Sequence, residues 1–137
     1  MRLIGFSTGC LYGTKVSFNR RIKIFYKYGA NAIELGFATK EQLLKYKLKK
    51  KIIINIKKYS YISIHAPWIN IKYNNDEETK KVIDKLKLLY NQIPVNGIVL
   101  HPDTVNDFTL LIESKLPFLL ENMDKRKNKF IYIKYNI

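Results

Sequence analysis

Three short stretches place side chains able to bind a metal or move a proton at the end of an apolar run. Tyr61-Ile-Ser-Ile-His65 is followed by Ala66, Pro67 and Trp68; Gly97-Ile-Val-Leu-His101 by Pro102 and Asp103; and Phe118-Leu-Leu120 by Glu121 and Asn122. Each run reads as a buried strand. A proline beside the histidine stops it, because proline has no N–H to give a sheet ladder. Neighbouring strands lie about 4.8 Å apart, so three consecutive parallel strands ending this way would bring His65, His101 and Glu121 to one rim. Two imidazoles and a carboxylate with an open position are a donor set for zinc, able to lower the pKa of a bound water. Blander roles exist for each. Glu121 could be a strand-end carboxylate held by backbone N–H groups, and either histidine a satisfied residue below a loop. A carboxylate in an otherwise apolar strand is costly unless paired, and the partnership of the three residues favours ligation.

The elements that must position this rim follow from local patterns. Leu3–Thr8 reads as a first strand, followed by a glycine-bearing loop, Gly9–Gly13. Ser17 caps a helix with Phe18, Ile22, Phe25 and Tyr26 at helical spacing, and Gly29 stops it. Ala32–Gly36 is a second strand. Thr39, with Gln42 in capping-box spacing, opens a helix over Lys40–Lys50. Ile52-Ile53-Ile54 has strand propensity, but Tyr61 is too close for another crossover, so Lys51–Lys58 reads as a helical turn or irregular return. Asp76 opens a helix whose apolar face is Val82, Ile83, Leu86, Leu89 and Tyr90. Asp103 or Thr104 caps a short helix to Lys115, and Pro117 introduces the fifth strand.

Composition sets the bounds. The chain has 137 residues, 47% of them hydrophobic, enough for one domain with a core. The single cysteine, Cys10, rules out a disulfide framework and reads as a packing residue. No apolar run reaches the roughly 18 residues of a spanning helix, and Leu3–Phe6 is too short for an export signal, so a cytoplasmic, non-membrane protein is expected. The net charge of +14 raises nucleic acid as a partner. Only Arg2, Arg20, Arg21 and Arg126 are arginines, the better phosphate readers. The lysines are scattered among isoleucine, tyrosine and asparagine, so a solvated surface is favoured over a binding footprint.

Strand centres fall mostly about thirty residues apart, the length of one βα unit. Strands apolar on both faces belong to a parallel sheet covered by helices. A doubly wound sheet would carry its ligand on a glycine-rich first turn, but Ser7-Thr8-Gly9-Cys10 lacks that fingerprint. A (β/α)8 barrel works from the carboxyl ends of successive strands. The expected fold is therefore α/β, an incomplete TIM barrel of about five parallel strands in order.

The segments Gly5-Phe-Ser-Thr-Gly9, Ile33-Glu-Leu35, Ser63-Ile-His-Ala-Pro67, Val99-Leu-His-Pro-Asp103 and Leu120-Glu-Asn-Met-Asp-Lys-Arg-Lys127 resemble the xylose isomerase-like TIM-barrel superfamily. That group includes sugar phosphate isomerases and epimerases and endonuclease IV-type apurinic-site nucleases. The resemblance covers residues 3–127 in register. It implies that Glu121 is the catalytic-site glutamate that binds a divalent metal (zinc, manganese or magnesium), with His65 and His101 as partners of the nuclease kind. It implies a small sugar or sugar phosphate as substrate, with abasic DNA the alternative. Later-strand ligands of the family have no counterpart, and residues 128–137 alternate like a strand where a helix should follow. The expectation is a truncated or frame-shifted product with a non-matching tail, inactive alone and self-associating through an open sheet edge. Trp68 is a candidate substrate-stacking residue or a cap on the core. Glu34 is a candidate substrate or supporting group, or half of a buried salt bridge. Asp103 reads as a helix cap, and Asn122 and Asp124 as shapers of the fifth-strand loop.

Overall fold

The computed structural model describes residues 2–11 and 13–122. Asp124 and the tail at 128–137 lie outside the described residues. Five strands form one sheet: β1 (Gly5–Ser7), β2 (Ala32–Gly36), β3 (Tyr61–His65), β4 (Gly97–Leu100) and β5 (Phe118–Leu120). They run in sequence order, and every pairing is parallel. A doubly wound sheet reverses its strand order at a switch point; this one does not. The chain is α/β, with flanking helices, in the manner of a partial (β/α) barrel.

Register explains the two faces of the sheet. Ile33, Leu35, Ile62, Ile64, Ile98 and Leu100 point to one side, and each is at most 2% exposed. Helices cover them there, and each such burial contributes about 1.5–3 kcal/mol. On the other side, Ser7, Glu34, Ser63 and Gly97 form one row and Gly36, His65, Val99 and Leu119 the next. This face is smaller and more polar than the first, with Val99 and Leu119 its apolar members. A Cβ on Gly97 would collide with the Leu119 side chain, so glycine is what lets Leu119 lie across β4.

The first helix, α1 (Phe18–Lys27), ends as expected at Gly29, whose φ of 85° suits glycine. The Ala30 N–H donates to the Phe25 carbonyl and the Gly29 N–H to that of Tyr26, the two bonds of a Schellman motif. Ser17 occupies the cap position without a side-chain bond. The capping box of Thr39 and Gln42 is formed, but α2 (Lys40–Lys45) is shorter than the spacing predicts, because Tyr46 turns to extended backbone. A separate helix, α3 (Lys50–Ile56), follows and buries Ile52 and Ile56. Helical burial at i and i+4 thus overrides the strand propensity of the isoleucine run, as the helical-turn reading requires.

Asp76 caps α4 (Glu77–Gln92) by accepting from the Thr79 N–H at 2.8 Å. Its buried face matches expectation except at Tyr90, which is 40% exposed. Neither Asp103 nor Thr104 caps α5 (Thr109–Glu113). Both lie in a 3-10 turn over Pro102–Thr104, and the Asp107 carboxylate accepts from the Thr109 N–H at 2.7 Å instead. The first strand is three residues, not six, with Leu3 and Ile4 exposed. Cys10 is exposed, so it is not a packing residue. No helix among the described residues is long and apolar enough to cross a membrane.

Three core tyrosines tie elements together. The Tyr73 hydroxyl donates to the Pro67 carbonyl at 2.9 Å, and Tyr59 donates to the Ile22 carbonyl. Burial pushes the hydroxyls of Tyr46 and Tyr73 well up and that of Tyr59 to about 12. An unfolded tyrosine ionises near 10, so the contribution is fully present below that pH and is lost as pH rises towards the folded values. Chemical unfolding midpoints are therefore expected to fall above pH 10, and Tyr59→Phe to shallow that fall. A midpoint unchanged into strongly alkaline solution would contradict it.

Candidate metal centre

His65, His101 and Glu121 meet at the carboxyl rim of β3, β4 and β5. The mechanism is register: His65 stands beside Val99 and Val99 beside Leu119, so His101 and Glu121 fall one step further up the same sheet face. The ladder holds the strand ends in place. The Phe37 N–H donates to the His65 carbonyl at 3.1 Å, and the Glu121 N–H to the Leu100 carbonyl at 2.9 Å. Beyond each histidine a proline, or an alanine and a proline, releases the chain from the sheet. The His101 carbonyl then accepts from the Thr104 N–H at 3.0 Å and opens the 3-10 turn.

Both imidazoles aim Nε2 at the same oxygen. Glu121 Oε2 lies 3.3 Å from His65 Nε2 and 2.9 Å from His101 Nε2. On its other side His65 Nδ1 lies 2.9 Å from the Ala66 carbonyl, which can only accept. That places a proton on Nδ1 and turns Nε2 towards the carboxylate. Asp103 Oδ1 lies 3.9 Å from His101 Nδ1, close enough for charge but not for a hydrogen bond. A lone pair on His65 Nε2 pointed at a carboxylate oxygen is relieved by a proton or a cation between them. A neutral His101 with its proton on Nε2 can donate to that oxygen, and the two rings lie 4.9 Å apart, centroid to centroid. One divalent cation satisfies all three groups.

The donor set fits such an ion. One ligand atom from each residue lies within 4.8 Å of the others, and tetrahedral zinc with bonds of about 2.0–2.2 Å needs donors roughly 3.4 Å apart. Trp68 completes the site. Its ring stacks on His101 at 5.5 Å and meets His65 edge-on at 4.5 Å. It thus packs against the imidazoles and is itself half-buried. The Trp68 and Ile69 N–H groups both donate to the Ala38 carbonyl, at 3.2 and 3.0 Å, and the Tyr73 hydroxyl supports the preceding Pro67.

Glu34 does not join the cluster. Its register partner is Ser63, two residues below His65 on the same face, and it forms no ion pair among the described residues. Asn122 is exposed beyond β5. Sequence reasoning missed Asp103 as a neighbour of His101 and the Ala66 carbonyl as the group that sets the His65 tautomer. The first is signalled only by the two-residue spacing; the second is backbone and carries no sequence signal. No family model, curated protein or solved structure matches the chain.

Zinc titrated into metal-free protein is expected to bind at one equivalent per chain. Loss of an outer-shell partner weakens metal sites about 10–100-fold, so Glu121→Ala is expected to weaken binding by more than about 100-fold and Asp103→Asn by about tenfold. Equal zinc affinity in wild type and Glu121→Ala, measured against a chelating indicator, would refute the site.

Proposed function

We propose that this chain holds a divalent metal at the rim of a barrel-type sheet and belongs with metal-dependent isomerases and epimerases of sugars or sugar phosphates. The observation that carries the metal reading is the convergence of two imidazole Nε2 atoms on one Glu121 oxygen. The reaction class draws on the five motif segments, whose resemblance is to the xylose isomerase-like superfamily. The metal, when bound, polarises substrate oxygens and so acidifies the proton next to a carbonyl. The protein's own task is to place that carbon beside a carboxylate able to carry the proton. Glu121 is the described carboxylate nearest the rim. Trp68 offers a flat surface beside it, and Glu34 a second carboxylate lower on the same face.

A second reading is favoured by the donor chemistry. Two imidazoles and one carboxylate are a zinc set, whereas aldose–ketose chemistry runs on carboxylate-rich magnesium or manganese sites. On that reading the protein is a zinc phosphodiesterase acting on abasic DNA, with the lysine-rich surface as its electrostatic footprint. A non-catalytic protein that self-associates through its sheet edges is the reading from another class. Among the described residues β1 and β5 each pair on one side alone, and open edges recruit further strands.

Metal analysis of purified protein beside activity assays separates these. Bound manganese or magnesium, lost in Glu121→Ala, is the expected result, in a chain that turns over no sugar phosphate on its own. Stoichiometric zinc with cleavage of abasic DNA would replace the first reading by the second. A metal-free, inactive oligomer would leave the third.

A further inference from the structure

A cavity of about 510 Å³ has in its wall Trp68, whose ring packs against both histidines of the candidate metal centre. Its walls include Phe18, Phe37 and Tyr46, which form one aromatic cluster with centroids 4.8–5.3 Å apart. Trp68 and Ile69 close another side, and Arg21 also lines it. Small residues make the room: Gly9, Gly36 and Ala38 are on the wall.

Arg21 is the informative group. Its guanidinium is half-buried and held rigidly, with Nε donating to the Val16 carbonyl at 2.9 Å and Nη1 to the Thr8 carbonyl at 2.8 Å. Both partners are neutral. Among the described residues Arg21 forms no ion pair. A guanidinium has five N–H donors, so outer donors remain for a ligand. Of the other polar groups on the wall, the Tyr46 hydroxyl donates to Asn19 Oδ1 at 3.0 Å and Gln42 Oε1 accepts from the Ala38 N–H at 2.9 Å. The cavity therefore offers one fixed positive charge and aromatic walls, with few groups to match a ring of hydroxyls.

We propose that this cavity binds the non-reacting end of the substrate, and that this end is an apolar body bearing one carboxylate, paired with Arg21. Trp68 would be the shared wall between it and the reacting end at the metal. Resting on the metal-centre reading, the inference narrows the substrate class: a hydroxylated head for the ion and an apolar carboxylate tail rather than a bare sugar phosphate. Preference for an apolar anion follows from walls that desolvate the pair, since a charge-assisted bidentate bond to arginine strengthens where water is excluded.

Trp68 is the sole tryptophan, so its fluorescence reports on both compartments. Cyclohexanecarboxylate is titrated into metal-free and zinc-loaded protein, beside neutral cyclohexylmethanol and glucose 6-phosphate. The expected result is a saturable change with the carboxylate in both forms and at least tenfold weaker binding of the alcohol and the sugar phosphate. Arg21→Gln is expected to weaken the carboxylate at least tenfold and leave zinc affinity unchanged. Because Arg21 also braces two carbonyls, Gly9→Leu is a second variant. Its Cβ would meet only Ser7 Oγ, at 3.3 Å, and the longer side chain fills the cavity; it too should abolish carboxylate binding. No saturable signal, equal binding of the alcohol, tighter glucose 6-phosphate, or carboxylate binding that survives both variants would overturn the proposal. Carboxylate binding without zinc binding would uphold the cavity and sink the metal reading alone.

Discussion

A carboxylate oxygen with two imidazole nitrogens turned towards it is an electrostatic demand before it is a site. One of those imidazoles has its opposite nitrogen committed to a backbone carbonyl, and the other faces a second carboxylate at 3.9 Å. A cation at its centre would engage both nitrogens and the oxygen at once. Much of the local structure serves to hold it. Parallel register puts the three side chains on one face, prolines release the strands above them, and Trp68 packs against both rings.

The division of the sheet into two faces supplies the rigidity. One face is buried isoleucine and leucine against helices, at several kcal/mol for each pair of such residues. The opposite face carries mainly serine, glycine, histidine and a glutamate, with Val99 and Leu119 its larger apolar members. Fixed strands below and an open, polar surface above are what a rim site needs, because its ligands gain precision from strands and access from the face. The aromatic cavity extends this logic outward. Phe37 and Ala38 leave β2 directly into its wall, so the segment that shapes the cavity is anchored in the same sheet as the ligands.

Much of this was legible in the sequence because it is written in period and punctuation. Histidine after a β-branched run, followed by proline, marks a strand end; Thr39 with Gln42 marks a capped helix; Gly29 marks its predecessor's end. Strand order and the meeting of His65, His101 and Glu121 followed from these. What escaped was set by tertiary contact. The Ile52–Ile54 run carries strand propensity yet lies in a helix, because burying Ile52 and Ile56 decides the matter. Asp103 and Thr104, expected to cap α5, lie instead in a 3-10 turn that opens at Pro102, and the Thr109 N–H is met by Asp107. Arg21 looked like one of many surface cations; only folding places it in a cavity wall between two carbonyls.

Whether a single ion is gripped by both imidazoles and the carboxylate at once is open to direct measurement. X-ray absorption of the zinc-loaded protein should find two imidazole nitrogens and carboxylate oxygen in the first shell at about 2.0–2.2 Å, with the imidazole scattering reduced by one ring in His65→Ala and in His101→Ala. A shell of oxygen alone, or one unchanged by either substitution, would contradict the account.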